Sequence, residues 1–144
     1  MYIRSMKLTL QIKLLPDKNQ AKSLLATIKE CNRACNEISE VAWQNKTFNQ
    51  FKLHQLTYYK IKEVFSLSAQ IVVRCISKVA NTYKADKMVK HSFKPLGAIT
   101  YDSRILSYKS NIVSIWSIDV RLKIPFVCHN PKYLPYVKGE ADLV

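Results

Sequence analysis

Ser66–Lys90, SLSAQIVVRCISKVANTYKADKMVK, is the stretch on which the reading of this chain turns. Ala69, Val72, Val73, Ile76, Val79, Ala80 and Tyr83 recur at helical spacing and form an apolar face. Gln70, Arg74, Ser77, Asn81 and Lys84 follow one another at steps of 4, 3, 4 and 3, which aligns them on a different face. The spacing predicts a helix over the whole run, with one side for a core and one side made of amides, hydroxyls and cations. A solvated helix face has this composition. So does a surface that reads nucleic acid, because amides pair with base edges and cations neutralise phosphates.

The rest of the chain weighs on that choice. Its 144 residues are enough for one domain with a real core, and a hydrophobic content of 48% is that of a globular protein. Lys and Arg number 23 against 10 Asp and Glu, a formal charge of +13, which points to a polyanionic partner. The excess is not a tail. Residues 66–96 carry 6 basic side chains and 1 acidic one, Asp86, so it is densest in and just after the two-sided helix. No run of about 18 apolar residues is present, and MYIRSMKLTL lacks the apolar segment of a signal peptide. No membrane partner and a cytoplasmic location are the expectations.

Working toward the N-terminus, Met6, Leu8, Leu10, Ile12 and Leu14 alternate with Lys7, Thr9, Gln11 and Lys13, the pattern of a half-buried strand with a basic outer face. Pro16 ends it. Asp17 followed by Gln20 reads as a capping box, opening a helix whose apolar series runs to about Trp43. Gln44–Gln50 reads as a turn. A second helix is expected over Phe51–Phe65, with Leu53, Leu56, Tyr59, Ile61, Val64 and Phe65 available for packing.

Toward the C-terminus the texture changes at Pro95 and Gly97. Ala98–Tyr101, Ile105–Tyr108, Ile112–Ile115 and Ile118–Ile124 are short β-rich pieces, and Lys109-Ser110-Asn111 reads as a hairpin turn. Pro125, Pro131 and Pro135 are expected to break the chain into loops. Glu140–Val144 reads as a further strand without a partner, as if the chain stopped inside a sheet. The expected class is α+β: a small β-barrel, of the oligonucleotide-binding type, interrupted by a bundle of about three helices. Its expected division is a discontinuous barrel domain over 1–15 and 96–144, incomplete at its C-terminus, and a helical domain over 16–95.

Enzymatic constellations are missing from the sequence. It has no H-E-x-x-H, no G-x-S-x-G and no glycine-rich phosphate loop, and its 10 carboxylates form no evident two-metal cluster. Cys31, Cys35, Cys75 and Cys128 lack zinc spacing and read as buried thiols; His54, His91 and His129 are scattered. No catalytic residue, metal site or cofactor is expected. Aromatic residues lie among the cations and amides, notably Phe48, Phe51, Tyr58, Tyr59, Tyr83, Tyr101 and Tyr108. Two or three of them are expected to meet a ligand by base stacking.

The ordered segments MKLTLQIKLLPDKNQ, CNRACNEISEVAW, LSAQIVVRCISKVANTYK, FKPLGAITYDSRILSY, VSIWSIDVRLKIPF and KGEADLV resemble the N-terminal half of TnpB, the OrfB-type protein of insertion sequences, related to the type V CRISPR effectors. The resemblance covers Met6–Val144. It implies the nucleic-acid-binding part of a transposon-encoded, RNA-guided DNA endonuclease, with a wedge barrel and a helical recognition region. Its implied partners are a guide RNA and double-stranded target DNA. In such systems protein reads a short motif beside the target and base pairing reads the rest. The family's motif-reading glutamine falls on Gln70, a neighbouring polar position on Ser66, an aromatic contact on Phe48, and wedge-loop contacts on Tyr101, Asp102 and Ser103. Arg74, Ser77, Asn81, Lys84 and Lys87, with Lys7 and Lys13 on the first strand, complete the expected binding set. The family's RuvC-like nuclease, with its three acidic metal ligands and zinc ribbon, has no counterpart in these residues. The chain is therefore expected not to be an enzyme by itself, and a separate C-terminal nuclease half is a candidate partner. Two other readings stay open: a non-functional truncated remnant, and an unrelated basic RNA-binding structural protein.

Overall fold

The computed structural model describes residues 9–118, 120–136 and 140–144. It is α+β, with three helices and mostly antiparallel strands. Strand β1 is Ile12–Leu14, followed by helices α1 (Lys18–Asn45), α2 (Gln50–Val64) and α3 (Ala69–Ala85). Strands β2 (Ile99–Tyr101), β3 (Leu106–Lys109), β4 (Ile112–Trp116) and β5 (Arg121–Cys128) follow, then a 3-10 turn over Pro131–Tyr136 and strand β6 (Ala141–Leu143).

Helix α1 begins where Asp17 and Gln20 form their capping box. The Gln20 amide donates to Asp17 Oδ1 at 2.8 Å, and the Asp17 amide donates to Gln20 Oε1 at 3.0 Å. Gln20 Nε2 also reaches the Lys123 carbonyl at 2.9 Å, so the cap doubles as a tie to β5. The helix ends at Lys46, whose φ of 49° is left-handed. Its buried face carries Leu24, Ile28, Cys31, Cys35, Ile38 and Ala42, the register expected from the sequence.

Helix α3 is shorter than expected at both ends. Ser68 caps its start, leaving Ser66 in the connection, and Asp86 closes it, leaving Lys87 beyond the last turn. Asp86 Oδ1 accepts the Met88 amide at 2.9 Å, and its carbonyl meets His91 Nε2 at 2.7 Å. Local bonding of this kind competes with helix continuation. Val72, Ile76, Val79, Ala80 and Tyr83 are buried as expected, with Ile71 and Cys75 beside them; Ala69 is exposed. On α2 the packing is narrower than expected. Leu53 and Ile61, with Phe65 just past the helix, are buried, while Leu56, Tyr59 and Val64 face outward.

A polar ladder on α1 fixes the passage from helices to strands. Asn32, Asn36 and Ser39, at steps of 4 and 3, capture the backbone of residues 91–97. Asn32 Nδ2 reaches the carbonyls of Pro95 at 3.2 Å and Gly97 at 2.9 Å, besides that of Ile28 at 3.0 Å. Asn36 donates to the Phe93 carbonyl and accepts from the Phe93 amide at 2.7 Å. Ser39 donates to the His91 carbonyl and meets the Tyr83 hydroxyl at 2.8 Å. From α3, Lys78 Nζ donates to Asn32 Oδ1 at 3.0 Å and to the Ala98 carbonyl at 2.7 Å. Gly97 packs against this junction. A Cβ there would come within 3.3 Å of the Lys94 carbonyl oxygen and 3.4 Å of Asn32 Oδ1.

The strands form a four-stranded sheet in the order β1-β5-β4-β3 and a two-stranded pair β2-β6. Ile12 opposes Cys128, so a strand from before the helices pairs with one from after them, as expected. Ser110, at φ 56°, and Asn111 make the two-residue hairpin turn between β3 and β4. Two expectations are corrected. Pro125 does not break the chain: it lies inside β5 opposite Ile112, its carbonyl accepts the Leu15 amide, and the next amide, Phe126, reaches Asn111. The closing strand does not lack a partner, since Ile99 opposes Leu143 and Tyr101 opposes Ala141. Among the described residues neither sheet closes on itself. Met6–Leu8 and Asp119 lie outside the described residues.

Cys31, Cys35 and Cys75 are buried between α1 and α3. Hydrogen bonding with Cys75, and then burial, raise the Cys35 thiol well above the ordinary range. Hydrogen bonding with Cys31 and burial do the same for Cys75, against an opposing contribution from Cys35. Cys35 and Cys75 are thereby held in the protonated form, which suits packing rather than nucleophilic work.

Two outcomes follow. Replacing Asn32 by Leu leaves the linker carbonyls and the Lys78 ammonium without their partner and lowers stability by about 2 kcal/mol in urea unfolding. A change below about 0.5 kcal/mol would show that the ladder is dispensable. In thiol titration, half-buried Cys128 reacts in the native protein, whereas Cys31, Cys35 and Cys75 react only on unfolding. Rapid native labelling of all the thiols would contradict the packing.

Candidate nucleic-acid interface

The polar side of α3 forms one wall of a cleft of about 320 Å³. Arg74, Ser77 and Asn81 line it from one row of the helix, and Lys78 and Thr82 from the adjacent row. Thr100 of β2 and Glu140, just before β6, close the other side. The Asn32–Lys78 junction holds β2 at this distance from α3. The clamped linker leads directly into β2, which carries Thr100 of the lining.

Arg74 is the anchor of the cleft. Its Nη2 pairs with Glu140 Oε1 at 2.7 Å; the Arg74 side chain is 18% exposed and that of Glu140 61%. Arg74 Nε is buried with no hydrogen-bond acceptor among the described residues. The Glu140 half of the pair is open to solvent, and exposed ion pairs contribute about 1 kcal/mol or less. A phosphate oxygen entering the cleft would therefore compete on favourable terms with the Glu140 carboxylate, and guanidinium suits phosphate geometry well.

At the N-terminal end of α3 lies a second group. Gln70 Nε2 donates to Asp102 Oδ2 at 2.6 Å, and Arg104 Nη1 donates to Gln70 Oε1 at 3.1 Å. The Arg104 amide donates to Asp102 Oδ1 at 2.9 Å, which holds the carboxylate in place. The loop after β2 thus fixes the Gln70 amide with both its donor and its acceptor side engaged. The resemblance names both Gln70 and Asp102 and the polar stripe names Gln70 again; the two side chains are joined here by a direct hydrogen bond.

The other expected residues are distributed as follows. Asn81 and Lys84 are exposed along the same side of α3, and Ser77 is buried at the base of the cleft. Ser103 is exposed beside Asp102. Tyr101 is in the core, its hydroxyl donating to the Trp116 carbonyl at 2.8 Å. Burial pushes that hydroxyl's pKa far up, so it is a packing residue and offers no ring to a ligand. Phe48 is half-buried and stacks on Tyr83 with ring centroids 4.7 Å apart, which commits its face to the protein. Ser66 and Lys87 are exposed outside the helix, and Lys13 is exposed on β1 away from the cleft lining. Lys7 lies outside the described residues.

Sequence reasoning did not single out Lys78, Thr82, Thr100, Arg104 or Glu140. Lys78 and Thr82 were within reach, because they continue Arg74 at steps of 4. Thr100 and Glu140 come together through the pairing of β2 with β6, and Arg104 enters through the loop after β2 that meets Gln70; no local pattern announces either. Among the described residues no group of histidine, cysteine and carboxylate side chains could hold a metal ion, and no helix is long and apolar enough to cross a membrane. No protein-family model matches the chain, and no curated protein matches it significantly.

Proposed function

We propose that this chain binds nucleic acid through the cleft beside α3, as the wedge-and-recognition portion of a TnpB-like, RNA-guided DNA endonuclease. The observation that carries the reading is the convergence on one cleft of Arg74, Lys78, Asn81 and Thr100, with Gln70, one turn before Arg74 on the same helix, held by Asp102 and Arg104. Cations for phosphates and a fixed amide for base edges are the two parts such recognition needs. The formal charge of +13 supports the same reading.

In this proposal the two sheets make an open wedge barrel and the helices an insertion within it. Pairing of β1 with β5 across the helical block supports that division, as does the Tyr101 hydroxyl, which bridges β2 to the end of β4. Guide RNA and duplex target are the proposed partners. Cleavage in this reading belongs to a nuclease part not found among these residues.

A backbone phosphate of duplex DNA enters the cleft by displacing Glu140 from Arg74. Gln70, released from Asp102 or reading alongside it, then meets a base edge. Lys84 and Lys87 contribute charge alone.

Selection from a randomised duplex library tests the assignment. The wild-type chain enriches a short motif. Gln70→Ala loses that enrichment with only a small change in overall affinity, while Lys84→Ala weakens binding to all sequences and lowers the salt-dependence slope by about 1. Equal losses on every sequence from Gln70→Ala would overturn the reading role of Gln70. Glu140→Gln, which removes the internal competitor, tightens duplex binding about two- to fivefold. An unchanged or weaker affinity would contradict displacement of Glu140.

A further inference from the structure

Helix α2 presents an outer face that neither the core nor the cleft uses. Phe51 is 80% exposed and Tyr59 82% exposed, extreme values for aromatic rings in a folded chain. Phe51, Gln55, Tyr59 and Lys62 follow at steps of 4, 4 and 3, so they share one side of the helix. His54 and Tyr58 border this side with their rings stacked at 4.7 Å, and Tyr59 meets Tyr58 edge-on at 5.3 Å. Lys52 and Lys60 follow the rings directly in sequence, Lys62 shares their side, and Glu63 is the sole acid of the helix.

We infer that this face is a stacking platform for an unpaired nucleic-acid strand. Exposed aromatic rings among lysines combine the two devices by which such strands are held without regard to sequence: π-faces for bases and cations for the backbone. Phe51 and Tyr59 are 8 positions apart, which is about 12 Å along a helix. That exceeds a stacked base step of about 3.4 Å, so the rings address separate bases and do not sandwich one. Charge selects the occupant. A second copy of a chain of +13 would bring its own lysines against Lys52, Lys60 and Lys62, whereas a polyanion neutralises them. Leu56 and Val64 are also exposed, on the side nearer the buried face, and would favour a protein partner if the lysines were absent. The platform is separate from the α3 cleft and does not depend on the function proposed for it.

Anisotropy titration of the full chain with a labelled oligothymidylate of about 12 nucleotides, within the usual site-size range, tests the inference. The wild-type chain binds it with strong salt dependence. Phe51→Ala and Tyr59→Ala each weaken binding about tenfold, and Phe51→Leu weakens it nearly as much, because leucine keeps apolar area but offers no π-face. Both side chains are largely exposed, so thermal unfolding of the variants matches the wild type and separates lost binding from lost folding. Their affinity for duplex DNA through the α3 cleft is unchanged. The inference is overturned if the wild type does not bind the strand or if the double variant binds it as the wild type does. It is also overturned if Phe51→Leu restores full affinity, or if sedimentation shows a wild-type dimer that the substitutions dissociate while strand binding persists.

Discussion

The contact that orders this molecule is the clamp between Asn32, Lys78 and the backbone of residues 95–98. A buried asparagine has few ways to satisfy its amide, and leaving it unsatisfied is costly. Here Asn32 takes the carbonyls of Pro95 and Gly97 and gives its own oxygen to Lys78, which also takes the Ala98 carbonyl. One helix, a second helix and the first residues leading into β2 are thereby locked together. Without the clamp the chain could leave α3 in many directions. With it, Thr100 and Asp102 are delivered to the polar side of α3.

That delivery explains why similar polar patterns on two helices have different fates. Asn32, Asn36 and Ser39 on α1 repeat at the same spacing as the row on α3, yet they turn inward to hold a linker. Arg74, Ser77 and Asn81 on α3 line an open cleft instead, and Gln70, one turn before Arg74, is held by Asp102. The difference is set by what lies opposite. The α1 ladder meets backbone carbonyls and amides that need partners. The α3 row meets a short β-pair whose side chains are Thr100 and the acid Glu140, and this leaves room and unbalanced positive charge.

The helices were legible because their signals are local. The capping box at Asp17 and Gln20, the apolar register of α1 and the hairpin turn at Ser110 and Asn111 each lie within a few residues of the element they define. The ends of α3 were misjudged because Ser68 and Asp86 decide them, against an apolar and basic pattern that runs on in both directions. The sheet was legible in part. Alternation suggested strands and the return to β1, but β6 found its partner through a contact spanning some 40 residues (Ile99 with Leu143), and Pro125 stayed in β5 because its carbonyl still serves Leu15. In the site, composition pointed to Gln70, Arg74 and Asn81. It could not separate Tyr101 and Phe48, whose rings are committed to the protein, from Phe51 and Tyr59, whose rings are not. That distinction is a matter of burial, which aromatic content alone does not carry.

Nitrogen-edited NMR of the side-chain amides and guanidinium groups during titration with duplex DNA tests the central claim most directly. The account predicts that the Gln70 and Asn81 amides and the Arg74 Nε resonance shift together, while the Asn32 and Asn36 amides stay in place because the clamp is structural. Shifts of the Asn32 and Asn36 amides with the α3 residues silent would contradict it.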